Sequence, residues 1–320
     1  VVVTSEQSGN ASNNDQDRLI EKINRQMGAL IFPLLKGKDL LEILLNPDGS
    51  VWEERLGQEM KLIGHMEPLH AEAFIGSVAA FYRQTITRNN PIFAGELPGN
   101  GARFEALIQP LVTAPTFTIR LPASQTFTLN DYVALGIMSK EQKKLLEEAV
   151  LNRQNILIVG GTGSGKTTLA KAVTLEIERV TPQHRLIILE DTREIQSSAQ
   201  NVVALKTSDT VDMLRLLKET MRLRPDRILV GEVRGPEALA LLKAWNTGHA
   251  GGISTLHANS AQAGLIRLEQ LIAEASVTPM QALIGEAIDL IVFIEKTATG
   301  RKVQEIVQVK GFKDGHYVFG

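Results

Sequence analysis

The segment Gly160-Gly161-Thr162-Gly163-Ser164-Gly165-Lys166-Thr167 constrains this chain more than any other stretch. It fills every position of G-x-x-x-x-G-K-[ST], directly after the apolar run 156–159 and directly before a helical pattern. A strand that runs into a glycine-rich turn and then a helix gathers backbone N–H groups around one point. The helix N-terminus adds positive partial charge there. Such a turn is a phosphate cradle, and it commits the surrounding sequence to an α/β layout. Gly160, Gly161, Thr162, Gly163, Ser164 and Gly165 supply the loop. Lys166 reaches the β- and γ-phosphates, the Thr167 hydroxyl ligates Mg2+, and Thr168 donates to the α-phosphate.

The flanks repeat the theme. Strands are expected at 156–159, 186–189, 228–230 and 252–256. Helices are expected at about 165–180, 211–221, 236–246, 261–274 and 279–287. Pro236 and Pro279 read as first-turn prolines and Thr278 as an N-cap, while Ser139 and Gln142 form a capping box that opens a further helix. Short, nearly uninterrupted apolar strands between amphipathic helices predict a parallel sheet covered on both faces.

At roughly 150 residues per domain, 320 residues leave room for a second unit. Residues 1–14 are polar and Asn/Ser-rich and read as a disordered tail. Residues 15–121 read as a smaller α+β domain. It has a helix over 18–27 and a hairpin of 43–45 with 51–53 around Asn46-Pro47-Asp48-Gly49. A helix follows over 68–85, carrying Leu69, Phe74, Val78 and Phe81, and β-like runs lie within 91–120. Residues 122–138 read as a linker, and 139–320 as the nucleotide-binding domain. The apolar run 28–35 reads as a core or subunit-interface segment in preference to a bilayer contact.

A cradle alone does not separate a hydrolase from a kinase or a switch; acidic groups decide. The strand at 186–189 runs into Glu190-Asp191-Thr192-Arg193-Glu194, and that at 228–230 into Gly231-Glu232-Val233-Arg234. Both place carboxylates at the strand ends where nucleotide lies in a parallel sheet. Gly231 stands where many NTPases have aspartate, so Glu232 is the candidate to orient or deprotonate water. His257 ends the fourth strand and suits a γ-phosphate sensor. His249 and His257 find no third ligand at metal-binding spacing, so no zinc site is expected. Arg222, Arg224 and Arg227 admit three readings: arginine fingers, interface ion pairs or a solvated face. Arg103 and Arg120 of the first domain are candidates to reach a γ-phosphate.

Composition excludes several classes. The chain has no cysteine, hence no disulfide framework or thiol nucleophile, and its net charge of −2 gives no basic nucleic-acid coat. No apolar run approaches the ~18 residues of a membrane span, and no secretory signal is visible, so a cytoplasmic protein is expected.

Four motifs now stand in order: the loop 160–167, Leu189-Glu190-Asp191-Thr192, RPDRILVGEVRG at 224–235 and TGHAGGISTLHANS at 247–260. Together they resemble the P-loop, Asp box, Walker B box and His box of the type II and type IV secretion traffic ATPases. The similarity is strongest to the type IV, conjugative-transfer branch. The resemblance implies a RecA-like α/β domain preceded by an α+β domain, with ATP and Mg2+ held between them in a homohexameric ring. By motif match Lys166 and Thr167 bind phosphates and Mg2+, Glu232 is the catalytic carboxylate, and Glu190 supports the metal through water. His257 takes the His-box position, and Arg103 and Arg120 meet the phosphates. The lack of cysteine disfavours the zinc-bearing type II branch. The function implied is ATP hydrolysis that powers type IV secretion, conjugative pilus assembly and DNA transfer, beside partners at the inner membrane and with no direct DNA grip expected. A DNA-stimulated translocase, a pilus assembly or retraction ATPase, a non-hydrolytic nucleotide-gated scaffold and a small-molecule kinase stay open as alternatives.

Overall fold

The computed structural model describes residues 7–37, 39–55, 58–122, 126–208 and 210–320, without the side chains of 7–14. The chain divides into two compact units, the first ending at Gln125 and the second starting at Thr126. Residues 1–6 of the expected tail, and Ala123, Ser124 and Gln125 of the expected linker, lie outside the described residues.

In the first unit, α1 (Gln7–Ile31) already begins within the expected tail, so residues 7–14 are helical backbone. No proline interrupts that stretch, and a helix once nucleated by the amphipathic segment behind it extends at little cost. Gly28 breaks the helix at φ 63°. Six antiparallel strands follow: β1 (Leu40–Leu45), β2 (Ser50–Arg55), β3 (Lys61–His65), and, after α2 (Pro68–Phe81), β4 (Ile92–Glu96), β5 (Arg103–Leu107) and β6 (Thr116–Arg120). Their order is β3-β2-β1-β6-β5-β4. The predicted hairpin is β1–β2, with Asp48 accepting from Ser50 N at 2.9 Å and Ser50 Oγ at 2.6 Å.

Both helices bury one stripe against this sheet. Ile23, Met27 and Ile31 of α1 and Phe74, Ile75 and Val78 of α2 join Ile43, Phe104, Phe117 and Ile119 in one core. Phe74 meets Phe104 and Phe117 edge-on, with ring centroids 5.4 and 5.2 Å apart. The run 28–35 belongs to this core: Ile31 is fully buried, and Leu30, Phe32, Leu34 and Leu35 pack against it. Leu69 does not, being 81% exposed. Five residues before Phe74, it lies about 140° around the helix from the buried stripe.

The second unit begins inside the expected linker. There α3 (Leu129–Ala134) is opened by a capping box of Thr128 and Asp131, and Leu129, Tyr132 and Met138 are core residues. The predicted Ser139–Gln142 box opens α4 (Lys140–Leu151). Then come β7 (Ile156–Gly160), α5 (Lys166–Val180), β8 (Leu186–Glu190), β9 (Val202–Lys206), α6 (Met213–Thr220), β10 (Arg227–Val230), α7 (Glu237–Asn246) and β11 (Ile253–His257). Next are α8 (Ala261–Ala273), α9 (Gln281–Ala287), β12 (Leu290–Thr297), β13 (Gly300–Lys313) and β14 (His316–Phe319). The α9 N-cap is Met280 in place of Thr278.

The eight strands are ordered β14-β13-β12-β7-β11-β10-β8-β9. From β12 to β9 every pairing is parallel; β12–β13 and β13–β14 are antiparallel. Strand parity explains why the parallel strands read as continuous apolar runs. Leu157, Val159, Ile187, Leu189, Ile228, Val230 and Leu256 face the core built with α6 to α9. Ile156, Ile158, Leu186, Ile188, Leu229 and Ile253 face the opposite core built with α3 to α5. Among the described residues no helix is long and apolar enough to cross a membrane.

Candidate functional site

Strand β7 is buried throughout and delivers Gly160 to the loop. Gly163 (φ 70°) and Gly165 (φ 96°) hold left-handed backbone that an L side chain would strain, and α5 starts immediately afterwards at Lys166. The Lys166 side chain is buried and folds back over the loop. Its Nζ donates to the carbonyls of Gly160 at 3.0 Å and Gly161 at 2.9 Å, and stands 3.3 Å from His257 Nδ1. Ser164 Oγ is buried with no hydrogen-bond partner among the described residues. Thr167 and Thr168 lie half-buried in the first turn of α5. A buried ammonium, an orphaned hydroxyl and a helix N-terminus converge here, and that donor-rich set fits a polyphosphate.

Parallel register brings the next elements alongside. His257, at the end of β11, pairs directly with Gly160. Strand β10 leads into Glu232, whose Oε1 is 2.9 Å from His257 Nε2 and whose Oε2 accepts from Arg234 Nη2 at 2.8 Å. Arg234 Nη1 reaches Asp191 Oδ2 at 3.6 Å, and Thr207 Oγ1 donates to Asp191 Oδ1 at 3.0 Å. The turn out of β10 is pinned by Thr255, whose hydroxyl donates to Gly231 O at 2.7 Å and whose carbonyl accepts from Val233 N at 3.1 Å. One chain of contacts therefore runs Lys166–His257–Glu232–Arg234–Asp191.

His257 is held below the ordinary histidine range, first by burial and then by the Lys166 and Arg234 cations, against which Glu232 pulls upward. In a neutral imidazole Nδ1 accepts from Lys166, while Nε2, though 2.9 Å from Glu232 Oε1, is out of line for a hydrogen bond, and that buried oxygen has no hydrogen-bond partner among the described residues.

Glu190 ends β8 and is buried. Its Oε1 accepts from Glu194 N at 3.1 Å and Ile195 N at 2.9 Å, leaving Oε2 without a hydrogen-bond partner among the described residues. Burial pushes its carboxyl up to about 7, with those two N–H groups acting the other way. Gly231 makes room for it, since a Cβ at 231 would lie 3.0 Å from Glu190 Cγ. Thr167 Oγ1 and the unshared Glu190 oxygen are chemically suited to Mg2+, the former directly and the latter through water.

Other expected residues belong to other elements. Arg103 and Arg120 face each other across β5 and β6 of the first unit, and Arg120 Nε is 3.4 Å from Glu42. Arg227 is not available as an arginine finger. It is fully buried and donates to His184 Nδ1 (3.1 Å), Gly251 O (3.0 Å) and Val150 O (2.9 Å). Its side chain points into the unit from the start of β10, where the strand is enclosed. Arg222 pairs with Glu219 at 2.7 Å. His249 is half-buried in the loop before β11, with Nδ1 unpartnered among the described residues.

Sequence reasoning gave no role to Arg234, Thr207 or Thr255, nor to Arg301, which donates from Nε to Gly163 O at 3.3 Å. Arg234 was discoverable, standing two residues after Glu232 in the same motif. Arg301 lies beyond the last motif and left no signal.

Comparison with known proteins agrees with this geometry. The profile of a family described as type II/IV secretion system protein matches residues 34–311. The conjugal transfer protein TrbB of Rhizobium radiobacter is 52% identical over 300 residues, covering 94% of this chain and 93% of that protein. The type IV secretion system protein VirB11 of Bartonella quintana is 32% identical, with 86% of this chain and 90% of that protein covered. Among solved structures, the pilus retraction motor PilT with bound ADP superposes with a TM-score of 0.61 at 19% identity, covering 90% of this chain and 80% of that one. That likeness concerns the fold.

Proposed function

The chain belongs to the type II/IV secretion system protein family, and from that premise we propose that it is a magnesium-dependent ATPase motor serving type IV secretion and conjugal transfer. The transfer role is supported by the TrbB and VirB11 relatives, which match nearly the full chain. The observation that carries the catalytic reading is the Lys166–His257–Glu232 junction at the mouth of the loop.

In this reading ATP lies along residues 160–168. Lys166 moves its ammonium from the Gly160 and Gly161 carbonyls to the β- and γ-phosphate oxygens, a transfer between acceptors that strips no water from the ion. Glu232 orients the attacking water and takes its proton, while Arg234 holds the second carboxylate oxygen. His257 stands between Lys166 and Glu232 and senses the γ-phosphate through both. Thr167 and Glu190 would hold Mg2+, which supplies charge neutralisation of the phosphates when bound. Arg103 and Arg120 are proposed to add positive charge to the transition state. We further propose a homohexameric ring acting in the cytoplasm, peripheral to the inner membrane.

The test is a size-resolved ATPase assay on the full chain, with and without nucleotide. Wild-type protein should hydrolyse ATP as a ring. Lys166→Ala should lose binding and turnover together; Glu232→Gln should lose turnover and keep ATP. Full activity in both variants would sink the assignment. Arg103→Ala and Arg120→Ala should each lower kcat, and unchanged kcat removes that arginine's role.

A further inference from the structure

The loop strand β7 has two neighbours, and they differ in what they bring to the loop. On one side β11 and β10 supply His257 and Glu232, the groups suited to the γ-phosphate. A nucleotide whose γ-phosphate lies on that flank must lead its nucleoside away from it. The other flank is β12, with the β12–β13 hairpin at its end.

Arg301 occupies that flank. It sits at the second residue of β13, opposite Lys296 of β12, and its side chain crosses the loop. Nε donates to Gly163 O at 3.3 Å. Its Cδ lies 3.0 Å from where a Cβ on Gly165 would stand, and Ile294 Cδ1 is 3.7 Å from the same point. Glycine at 165 thus admits the arginine as well as the turn. No carboxylate among the described residues pairs with Arg301, so its one hydrogen bond is to a loop carbonyl. A planar, weakly hydrated guanidinium is a face on which an aromatic base stacks.

We propose that Arg301 forms the nucleoside end of the site and takes the face of the purine base, with Ile294 lining the turn beneath it. This deepens the ATPase reading and rests on it. In the free protein the guanidinium is parked on the Gly163 carbonyl. Nucleotide draws it onto the base, so the hairpin registers whether the loop is filled.

The experiment compares wild type, Arg301→Ala and Arg301→Lys as full chains, with Mg-ATP as substrate and inorganic tripolyphosphate as a competitor that lacks a nucleoside. In Arg301→Ala the KM for ATP should rise roughly tenfold while kcat stays within about twofold. Inhibition by tripolyphosphate should be unchanged, which also reports that the loop remains folded. Arg301→Lys keeps the charge without the plane, so its KM should stay raised. An unchanged KM in Arg301→Ala overturns the assignment, as does equal weakening of ATP and tripolyphosphate, which would make Arg301 a phosphate contact. Recovery of KM by lysine overturns it too. Wild-type protein that binds tripolyphosphate but no ATP removes the ATPase reading itself; wild-type binding of ATP with no loss in Arg301→Ala removes only this inference.

Discussion

Replacing Arg227 by methionine separates two readings of a buried arginine. The side chain is fully enclosed, and burial, helped by the Arg153 cation, lowers its pKa well below the ordinary arginine value, to about 10. At about 1.4 kcal/mol per pKa unit, removing the charge relieves roughly 3 kcal/mol. Against this stand three hydrogen bonds from a charged donor, each contributing about 1.5–3 kcal/mol, two of them to backbone carbonyls that methionine would leave orphaned. The hydrogen bonds win, and Arg227→Met should lose about 1.5–6 kcal/mol. Arg227→Ala should lose roughly 2–3 kcal/mol more, because it also opens a cavity. Guanidinium unfolding followed by Trp245 fluorescence reads the right unit, since Trp245 is only 2% exposed in its core, and Trp52→Phe removes the other indole. Once folded, Arg227→Met should keep its KM for ATP. A methionine variant as stable as wild type would refute the structural role; a specific loss of kcat in a stable variant would restore the arginine-finger reading.

Two further outcomes follow from the site. Gly231→Asp should abolish turnover, because its Cβ would stand 3.0 Å from Glu190 Cγ and a second carboxylate would crowd a buried one. Adding Glu190→Ala should recover part of the folding stability that Gly231→Asp loses, and a double variant no more stable than Gly231→Asp alone would show that the two positions do not share space. The depressed pKa of His257 gives a pH signature: neutral imidazole accepts from Lys166, and imidazolium repels it. ATPase kcat/KM should therefore hold at pH 7 and fall only as pH drops through a value under 6.5, the ordinary histidine pKa. His257→Gln keeps an acceptor and a donor but cannot titrate, so the acid limb should flatten; an unchanged limb assigns it to another group.

What was legible in sequence was what is local. The loop, the capping box at Ser139, the hairpin at Asp48 and the four buried strands each follow from periodicity or turn chemistry over a few residues. The α3 helix in the presumed linker was missed because six residues are too few for a period, and Leu129 and Tyr132 reveal themselves only by the core they enter. Strands β9, β13 and β14 were missed where the apolar signal is diluted by half-buried and exposed positions, as in the pattern of β13, whereas β12 was missed although Leu290–Ile294 is a continuous apolar run. Leu69 shows the converse error: an apolar residue near the right spacing yet on the wrong side of its helix.

By itself the sequence determined a glycine-rich turn between strand and helix and carboxylates at strand ends, because glycine conformation and strand periodicity are set within a few residues. Tertiary structure alone decided which of those groups meet. His257 and Lys166 are 91 residues apart and touch because parallel register lays the end of β11 beside the end of β7. The same packing turned Arg227 inward, fully enclosed, and carried Arg301 from beyond the last motif onto the loop. Burial and register are properties of the assembled sheet, and no window along the chain contains them.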